Sequence, residues 1–370
     1  MSTAASASFS SSGTPVFALR DLSWHRARAT VLNDAQLRRA MVRRQALGDV
    51  RAAALYGEAL FHVAPSAELA LQLALFHRQC RSHRRALAVL AEARAQWPDH
   101  ADLLRMQAEV AMLAKDIERA ATVWLKVLWR RPVAGVYPIL QAISCFRHCG
   151  DEAQVHDLVT TYEPILHTVY PTRALSLLRV GLDGLPHDLP DLSMITGNNG
   201  TGKTTLGHVL QAIGFMIVDA DTEIAVFRRK NRYSPVRYDL TGGDPEAEAQ
   251  TFWDWPDDQF ASACNAARQV GRPVVVIGGF GRVVRQHIAA SDHVFHLTAP
   301  TEVIAKRLEK RNSPAHRPGT KGYAAALQRN DRAANPEYPA TIVMSNRPVW
   351  QVCSDILRVL GQPQPGCRNV

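Results

Sequence analysis

Eight consecutive residues near the middle of the chain have the types and spacing needed to hold phosphate groups. They are Gly197-Asn198-Asn199-Gly200-Thr201-Gly202-Lys203-Thr204, followed by Thr205. Glycines let backbone N–H groups curl around phosphate oxygens, and the N-terminus of a following helix adds partial positive charge. A lysine at the position of Lys203 reaches the β and γ phosphates, and a hydroxyl at the position of Thr204 coordinates Mg²⁺. The run through Thr205 therefore predicts a site for ATP and Mg²⁺, with Lys203 also acting in catalysis.

The segments around this loop have the pattern that the motif requires. A short apolar run, 192–196, leads into the loop, and a helical pattern extends from about Thr204 to Ile213. Four more short apolar runs follow, at 215–218, 273–277, 293–297 and 341–344. Short, continuously apolar runs are typical of parallel strands covered on both faces. The sequence thus predicts an α/β P-loop domain with a five-stranded parallel sheet.

Acidic residues and glycines follow two of these predicted strands. Asp219 and Asp221 come after the second strand, and Gly278 and Gly279 come after the third. Ligands of open α/β sheets bind at the carboxyl ends of the strands, beside the phosphate loop. The glycines could bring the backbone close to an acceptor molecule or could form a tight turn, and the acids could be exposed loop residues. The third strand ends without an acid, which argues against motor-type ATPases.

In order and spacing these features resemble shikimate kinase and the wider nucleoside monophosphate kinase superfamily, over about residues 190–362. The resemblance implies that Asp219 holds Mg²⁺ through water and that Asp221 contacts the hydroxyl to be phosphorylated, as orienting group or general base. It also implies that Arg317, in an Arg-Pro pair, is a catalytic arginine on a lid that folds over ATP. Arg332, or Arg329 in its place, is the expected arginine on the substrate side. Each arginine could equally be a solvated surface charge.

One position departs from that family. Trp253 stands where the family has an arginine that grips the substrate carboxylate, so shikimate is not the expected substrate. Trp253 and Trp255 suit stacking on a sugar or base ring, or packing in a core or interface. The basic segment from about Val226 to Asp258 could bind an anionic acceptor or form a surface excursion.

The first half of the chain repeats itself with a period of 34 residues. Small residues recur at Ala52, Ala86 and Ala120, and bulky residues follow four positions later at Tyr56, Leu90 and Trp124. Prolines follow at Pro65, Pro98 and Pro132, and a weaker fourth copy begins at Gly150. The pattern resembles the tetratricopeptide repeat family over roughly residues 33–180. The resemblance implies an all-α helical repeat domain that binds a protein partner, although a short array could also brace the neighbouring domain.

Composition narrows the class of protein further. The formal net charge of +9 invites a nucleic-acid interpretation, but no basic and aromatic interleaving supports it. The six cysteines are scattered, which fits idle thiols in a reducing cytoplasm better than a metal site. No stretch is apolar for long enough to span a membrane. The expected organisation is a disordered tail (1–30), a helical repeat domain (31–185) and a P-loop domain (186–370).

Together these patterns predict a small-molecule kinase that moves the γ-phosphoryl group of ATP to a hydroxyl or phosphate acceptor. The alternative is an adaptor protein whose repeats do the work and whose P-loop domain binds ATP without turnover. A sulfotransferase fused to repeats fits less well, because the loop has the full Gly-Lys-Thr ending of nucleotide binders.

Overall fold

The structure is a computed structural model. It describes residues 22–46, 49–130, 135–185, 188–229, 235–236, 251–279, 282–311, 317–333 and 336–361.

The described residues up to position 185 form eleven α-helices and no strand. The helices are α1 Leu22–Ala29, α2 Asp34–Ala46, α3 Val50–Val63, α4 Ala67–Gln79, α5 His83–Gln96, α6 Ala101–Leu113, α7 Ile117–Arg130, α8 Val136–His148, α9 Glu152–Thr161, α10 Glu163–Leu166 and α11 Thr172–Val180. A 3₁₀ turn, Gly181–Gly184, follows them.

Consecutive helices pack in pairs, and the 34-residue period explains how. Ala52, Ala86 and Ala120 lie on α3, α5 and α7 and are fully buried. Their small side chains let neighbouring helices approach closely. The bulky residues Tyr56, Leu90 and Trp124 are buried one turn later on the same helices. The predicted helical repeats are confirmed for three copies.

The fourth copy and the N-terminal tail differ from the expectation. Ala153 is exposed, and Val155 takes the inward position on α9 instead. Residues 22–29, assigned to the tail, form α1 because an aromatic and a polar contact fix them to α3. The His25 ring is buried, and its Nδ1 lies 2.9 Å from the Tyr56 hydroxyl. Residues 1–21 and Pro132 lie outside the described residues.

The C-terminal half contains a five-stranded parallel sheet, as predicted. Its strands are β1 Leu192–Gly197, β2 Met216–Asp219, β6 Val274–Ile277, β7 His293–Thr298 and β8 Thr341–Met344, in the order β2-β6-β1-β7-β8. A small antiparallel sheet in the order β4-β3-β5 accompanies it, from β3 Val226–Arg229, β4 Pro235–Val236 and β5 Thr251–Asp254. The basic excursion of the sequence thus contains strands that its composition did not indicate.

Helices cover both faces of the parallel sheet. The helices of this half are α12 Lys203–Ile213, α13 Ala220–Glu223, α14 Asp257–Arg268, α15 Arg282–Arg285, α16 Thr301–Arg311, α17 Lys321–Ala333 and α18 Val349–Leu360. On one face, Ile195 of β1 packs in a core with α12 and α18. On the other, Leu192 and Met194 pack in a core with α14. All six residues of β1 are buried, and its side chains alternate between the two cores, so the loop that follows it lies at the carboxyl edge of a covered sheet.

The two halves share one apolar core, in which α8 of the repeats packs against α12 of the P-loop domain. The side chain of Arg147 is buried in this interface. Its guanidinium donates to the carbonyl of Ala212 on α12 at 2.5 Å and to that of Leu178 on α11 at 2.8 Å. Glu152 pairs with it at 3.1 Å. A cation therefore satisfies carbonyl groups at the C-terminal ends of two helices, where the helix dipole also favours positive charge.

Among the described residues, no helix combines the length and apolar character needed to cross a membrane.

Candidate functional site

The phosphate loop joins the end of β1 to the start of α12. Gly197 has a φ of 144°, and a Cβ there would lie 2.5 Å from the carbonyl oxygen of Leu297 on β7. Gly202 has a φ of 92° and caps the N-terminus of α12 in the left-handed conformation. Glycine is required at both positions. At Gly197 a side chain would clash and the positive φ would be strained, whereas at Gly202 only the positive φ requires glycine. The loop thus presents its backbone and the N-terminus of α12 at the carboxyl edge of the sheet.

The amine of Lys203 lies inside this loop. It donates to the carbonyl oxygens of Gly197 at 2.8 Å and Asn198 at 2.9 Å. Burial lowers the pKa of Lys203 to about 8, and the nearby charges of Asp221 and Asp219 oppose that shift. A cation at an enclosed position between an anion-binding loop and two carboxylates is placed to contact phosphate oxygens.

Two hydroxyls follow Lys203 in the first turn of α12. Thr204 and Thr205 are both exposed there. The other threonine of the loop, Thr201, is buried and donates to the carbonyl of Asn198 at 2.8 Å, which stiffens the turn. Of the three threonines that the sequence assigns to the ATP site, Thr204 and Thr205 are therefore exposed, whereas Thr201 makes a structural hydrogen bond inside the loop.

The two predicted acids meet at the end of β2. Asp219 caps α13, and its carboxylate accepts the backbone N–H of Asp221 at 3.1 Å. Burial, then the charge of Asp221, raise the pKa of Asp219 to about 6. Burial also raises the pKa of Asp221, against the opposing effects of Lys203 and of a hydrogen bond from the backbone of Gly279. Asp219, Asp221, Gly279 and Lys203 therefore lie together in one cleft.

This cleft fits Mg²⁺ held together with a nucleotide. Two neighbouring carboxylates that both resist ionisation gain from a divalent cation, and the exposed hydroxyl of Thr204 is an oxygen ligand of the right kind. In the part of the chain that the structure describes, no group of three or more His, Cys, Asp or Glu residues could hold a metal. Mg²⁺ keeps several waters and is bound through one or two carboxylates plus phosphates, and Asp219 and Thr204 are oxygen donors of that kind.

The two glycines after β6 have different surroundings. Gly278 is buried, and a Cβ there would lie 2.5 Å from the ring of Trp255 and 2.9 Å from the Cβ of Ala220. Its small size lets Trp255 pack beneath the turn that carries the acids. Among the described residues, no atom lies within 4 Å of the position that a Cβ of Gly279 would take. Only Gly279 is thus placed for the close approach of an acceptor that the sequence suggested for both.

The two tryptophans, Trp253 and Trp255, also have different surroundings. Trp255 is buried in the core beside α14, near the ring of His287, so it packs rather than offering a face to a ligand. Trp253 lies on β5, paired in register with Phe227 of β3. The side chain of Trp253 is outside the described residues, so its proposed contact with an acceptor stays a prediction.

The arginines assigned to the lid and to the substrate side lie around α17. Arg317 is exposed just before this helix, and its carbonyl accepts the backbone N–H of Thr320 at 3.0 Å. Arg329 is exposed on α17. Arg332 lies on the same helix, but its side chain is outside the described residues. The roles of Arg317 and Arg332 stay predictions.

The structure adds contacts that the sequence analysis missed. Arg307 on α16 donates to the loop carbonyl of Gly200 at 3.2 Å and to the carbonyl of Ser345, after β8, at 2.5 Å. Asn198 donates to the carbonyl of Ala326 on α17 at 2.7 Å. Glu223 accepts the backbone N–H of Asp219 at 3.2 Å. The partners of Arg307 and Asn198 lie 38 to 128 positions away in the chain, so local pattern does not indicate these contacts. By contrast, Glu223 and Asp219 are only four positions apart.

Comparison with known proteins agrees with the P-loop interpretation. Residues 194–333 match the sequence model of a family described as "AAA domain". No curated protein matches the chain in sequence.

Three solved structures resemble parts of the fold at low identity. The structure of MamA MSR-1 C2 is 14% identical, with 48% of this chain and 94% of that chain covered and a TM-score of 0.33. A mutant O-GlcNAc transferase of Thermobaculum terrenum is 18% identical, with 49% of this chain and 35% of that chain covered and a TM-score of 0.28. An unliganded sugar kinase of Janibacter sp. HTCC2649 is 17% identical, with 46% of this chain and 98% of that chain covered and a TM-score of 0.30.

The chain therefore combines an N-terminal tetratricopeptide-like helical repeat region with an α/β P-loop domain, of which residues 194–333 match the AAA domain family.

Proposed function

We propose that this protein is a small-molecule kinase that transfers the γ-phosphoryl group of ATP to a hydroxyl or phosphate acceptor. The observation that carries the proposal is the shared cleft of the phosphate loop and the acid pair. Lys203 and Asp221 are close enough for each charge to shift the pKa of the other. A protein that only binds nucleotide needs the loop but not a carboxylate pair facing it. The absence of an acid after β6 also favours a kinase over a motor-type ATPase.

Each residue of the cleft has a role in this reaction. When ATP binds, the amine of Lys203 exchanges loop carbonyls for phosphate oxygens. Thr204 and Asp219 would hold Mg²⁺, which neutralises charge on the phosphates when bound. Asp221 orients the acceptor and takes the proton of its hydroxyl as the oxygen–phosphorus bond forms and ADP leaves. A raised pKa makes its carboxylate a better proton acceptor.

The remaining predicted residues surround that cleft. Arg317 stabilises charge on the transferring phosphoryl group after the lid closes, and Arg332 contacts the acceptor. Trp253 and Gly279 form the rest of the acceptor side, with Gly278 behind them as a packing residue. Phosphoryl transfer depends mainly on positioning and electrostatics, so a site built from these groups is sufficient.

The organisation of the chain follows from the same proposal. The repeat domain, which extends from α1 to about residue 185, binds a protein partner, and the kinase domain begins at about residue 186. Single, scattered thiols such as the buried Cys145, Cys264 and Cys353 fit the reducing cytoplasm.

The test is ATP consumption by the purified protein with Mg²⁺, screened against pooled sugars, cyclic polyols and nucleosides. We expect ADP release that depends on one pool and that falls by at least about 100-fold in Asp221→Asn, because a general base contributes about that much. Asp258→Asn is the matched control, since this aspartate is exposed on α14, away from the loop. Equal loss in both variants would contradict the role of Asp221.

The adaptor alternative has one observation in its favour. Trp253 stands where the resembled kinases have their substrate arginine, so the acceptor grip of that family is missing. Tight ATP binding without turnover in any pool would favour an ATP-binding adaptor over the kinase.

A further inference from the structure

Two turns of the repeat region reach the C-terminal half at the segment that follows the acid pair. Arg81 lies between α4 and α5, and Lys115 lies between α6 and α7. The two positions are 34 residues apart, so they are equivalent places in consecutive repeats. Both have left-handed backbones, with φ of 56° and 61°, and no other described residue except glycine has a positive φ.

A left-handed residue that ends a helix is usually glycine, because a side chain there costs about 1 kcal/mol or more. Two long cations occupy these turns instead. The side chains of both residues contact the C-terminal half of the molecule.

The side chain of Arg81 contacts a backbone carbonyl of the segment 223–225. Its guanidinium donates to the carbonyl of Ala225 at 3.1 Å and to the side chain of Gln259 on α14 at 3.3 Å. Ala225 itself is buried, so this contact fixes the exit of the acid turn against α14.

The side chain of Lys115 contacts a side chain of the same segment, that of Glu223. Its amine lies 3.1 Å from one carboxylate oxygen of Glu223. The other oxygen of Glu223 accepts the backbone N–H of Asp219 at 3.2 Å. A chain of contacts thus runs from the repeat region through Glu223 to the residue at the end of β2.

We propose that the repeat region positions the acid turn of the kinase site: Glu223 is a positioning residue for Asp219, and Lys115 and Arg81 hold the turn in place. The inference rests on the proposed function, because it assigns Asp219 to Mg²⁺ bound with ATP. The nucleotide's own contacts with the phosphate loop do not pass through Glu223. Loss of Lys115 should therefore weaken the contribution of Mg²⁺ to nucleotide binding and leave binding by the loop alone unchanged.

The experiment measures ATP affinity of the full chain by calorimetry, once with Mg²⁺ and once with EDTA. The ratio of the two affinities is the gain from Mg²⁺. We expect Lys115→Met to reduce this gain on the order of threefold, the size of effect for a partly exposed ion pair. Lys115→Arg should keep most of the gain, and Arg81→Met combined with Lys115→Met should reduce it further. The affinity in EDTA should be the same in all variants.

Lys126→Met is the matched control, since Lys126 is an exposed lysine on α7 of the same repeat. An unchanged gain in Lys115→Met, or an equal loss in the Lys126 control, would overturn the inference. So would a fall in the EDTA affinity as large as the fall with Mg²⁺, because that would indicate general damage. These outcomes leave the proposed function standing, whereas a wild-type protein that binds no ATP would end both.

Discussion

The phosphate end and the acceptor end of the cleft are built in different ways. The phosphate end is one continuous stretch of chain, from Gly197 to Thr205, and its main groups are backbone N–H groups and one lysine. The acceptor end takes Asp219 and Asp221 from β2 and α13, Gly279 from the end of β6, and its supports from the repeat region.

Because of this difference, mutations at the phosphate end and at the acceptor end should have different effects. The loop is one continuous segment whose shape is fixed mainly by glycine geometry and the sheet edge, with single supporting hydrogen bonds to α16 and α17. An acceptor end assembled from four places depends on packing between them. Changes at the first should affect nucleotide affinity, and changes at the second should affect turnover or the metal while ATP still binds.

The largest effect is expected at the phosphate end itself. Lys203→Met removes the cation from the loop, and we expect ATP affinity and turnover to fall at least about 100-fold, as for other charged groups that stabilise a transferred phosphoryl. Calorimetry and ADP release measure the two effects, with Lys126→Met as control. Unchanged ATP affinity would contradict the placement of the nucleotide in this loop.

Gly278→Ala tests the acceptor end by packing alone. The new methyl group would lie within 3 Å of Trp255 and Ala220, so the turn that carries the acids must shift. We expect a loss of about 2 kcal/mol in the free energy of unfolding, measured by urea denaturation, and reduced turnover, with the ATP affinity in EDTA retained. Gly279→Ala is the matched variant, because its Cβ would meet no described atom within 4 Å and should cost less stability. Equal stability losses would contradict the difference between the two glycines.

The pH dependence of catalysis distinguishes the acceptor end from the phosphate end without a mutation. Because the pKa of Asp219 is raised to about 6, this carboxylate loses its charge below that pH, and kcat/KM should fall about tenfold per pH unit. Because the pKa of Lys203 is lowered to about 8, its charge is lost above that pH, and phosphate binding should weaken. The value of kcat/KM should therefore be highest between about pH 6 and pH 8 and fall on both sides of this range.

ATP binding in EDTA should show only the alkaline fall, after correction for the titration of ATP itself. An acid fall of similar size in that measurement would show that the two ends are not separable.

The smallest effect is expected for the link between the loop and α17. Asn198→Ala removes the buried hydrogen bond from the Asn198 amide to the carbonyl of Ala326. We expect the free energy of unfolding to fall by about 1.5 kcal/mol in urea denaturation. Asn265→Ala, on the exposed side of α14, should change it by less than about 0.5 kcal/mol. A loss no larger than in that control would contradict a supporting role for Asn198.

The sequence predicted those parts that depend on local pattern. The phosphate loop, the five strands of the parallel sheet and the three buried alanines are confirmed, because a period or a contiguous motif specifies each of them. The resemblance brought Asp219 and Asp221 to one turn, and the structure places them together beside Lys203.

The parts that depend on distant partners could not be predicted. Nothing near Arg81 or Lys115 in the chain indicates a contact with residues more than 100 positions away. The antiparallel sheet of β3, β4 and β5 comes from a segment that reads as basic and irregular. For Trp255 the sequence left both ligand stacking and core packing open, because sequence alone does not tell which face of a strand end is covered, and the structure shows core packing.

The buried guanidinium of Arg147 has a consequence for how the molecule comes apart. It is hydrogen-bonded to the last turns of α11 and α12, and Arg272 in turn donates to its carbonyl at 2.6 Å. Separating the two halves would break the bond from Arg147 to α12 and expose the apolar face of α12 to water, which is unfavourable. The repeats and the P-loop domain should therefore melt in a single cooperative transition, and neither should behave as a module that can be cut out and transplanted.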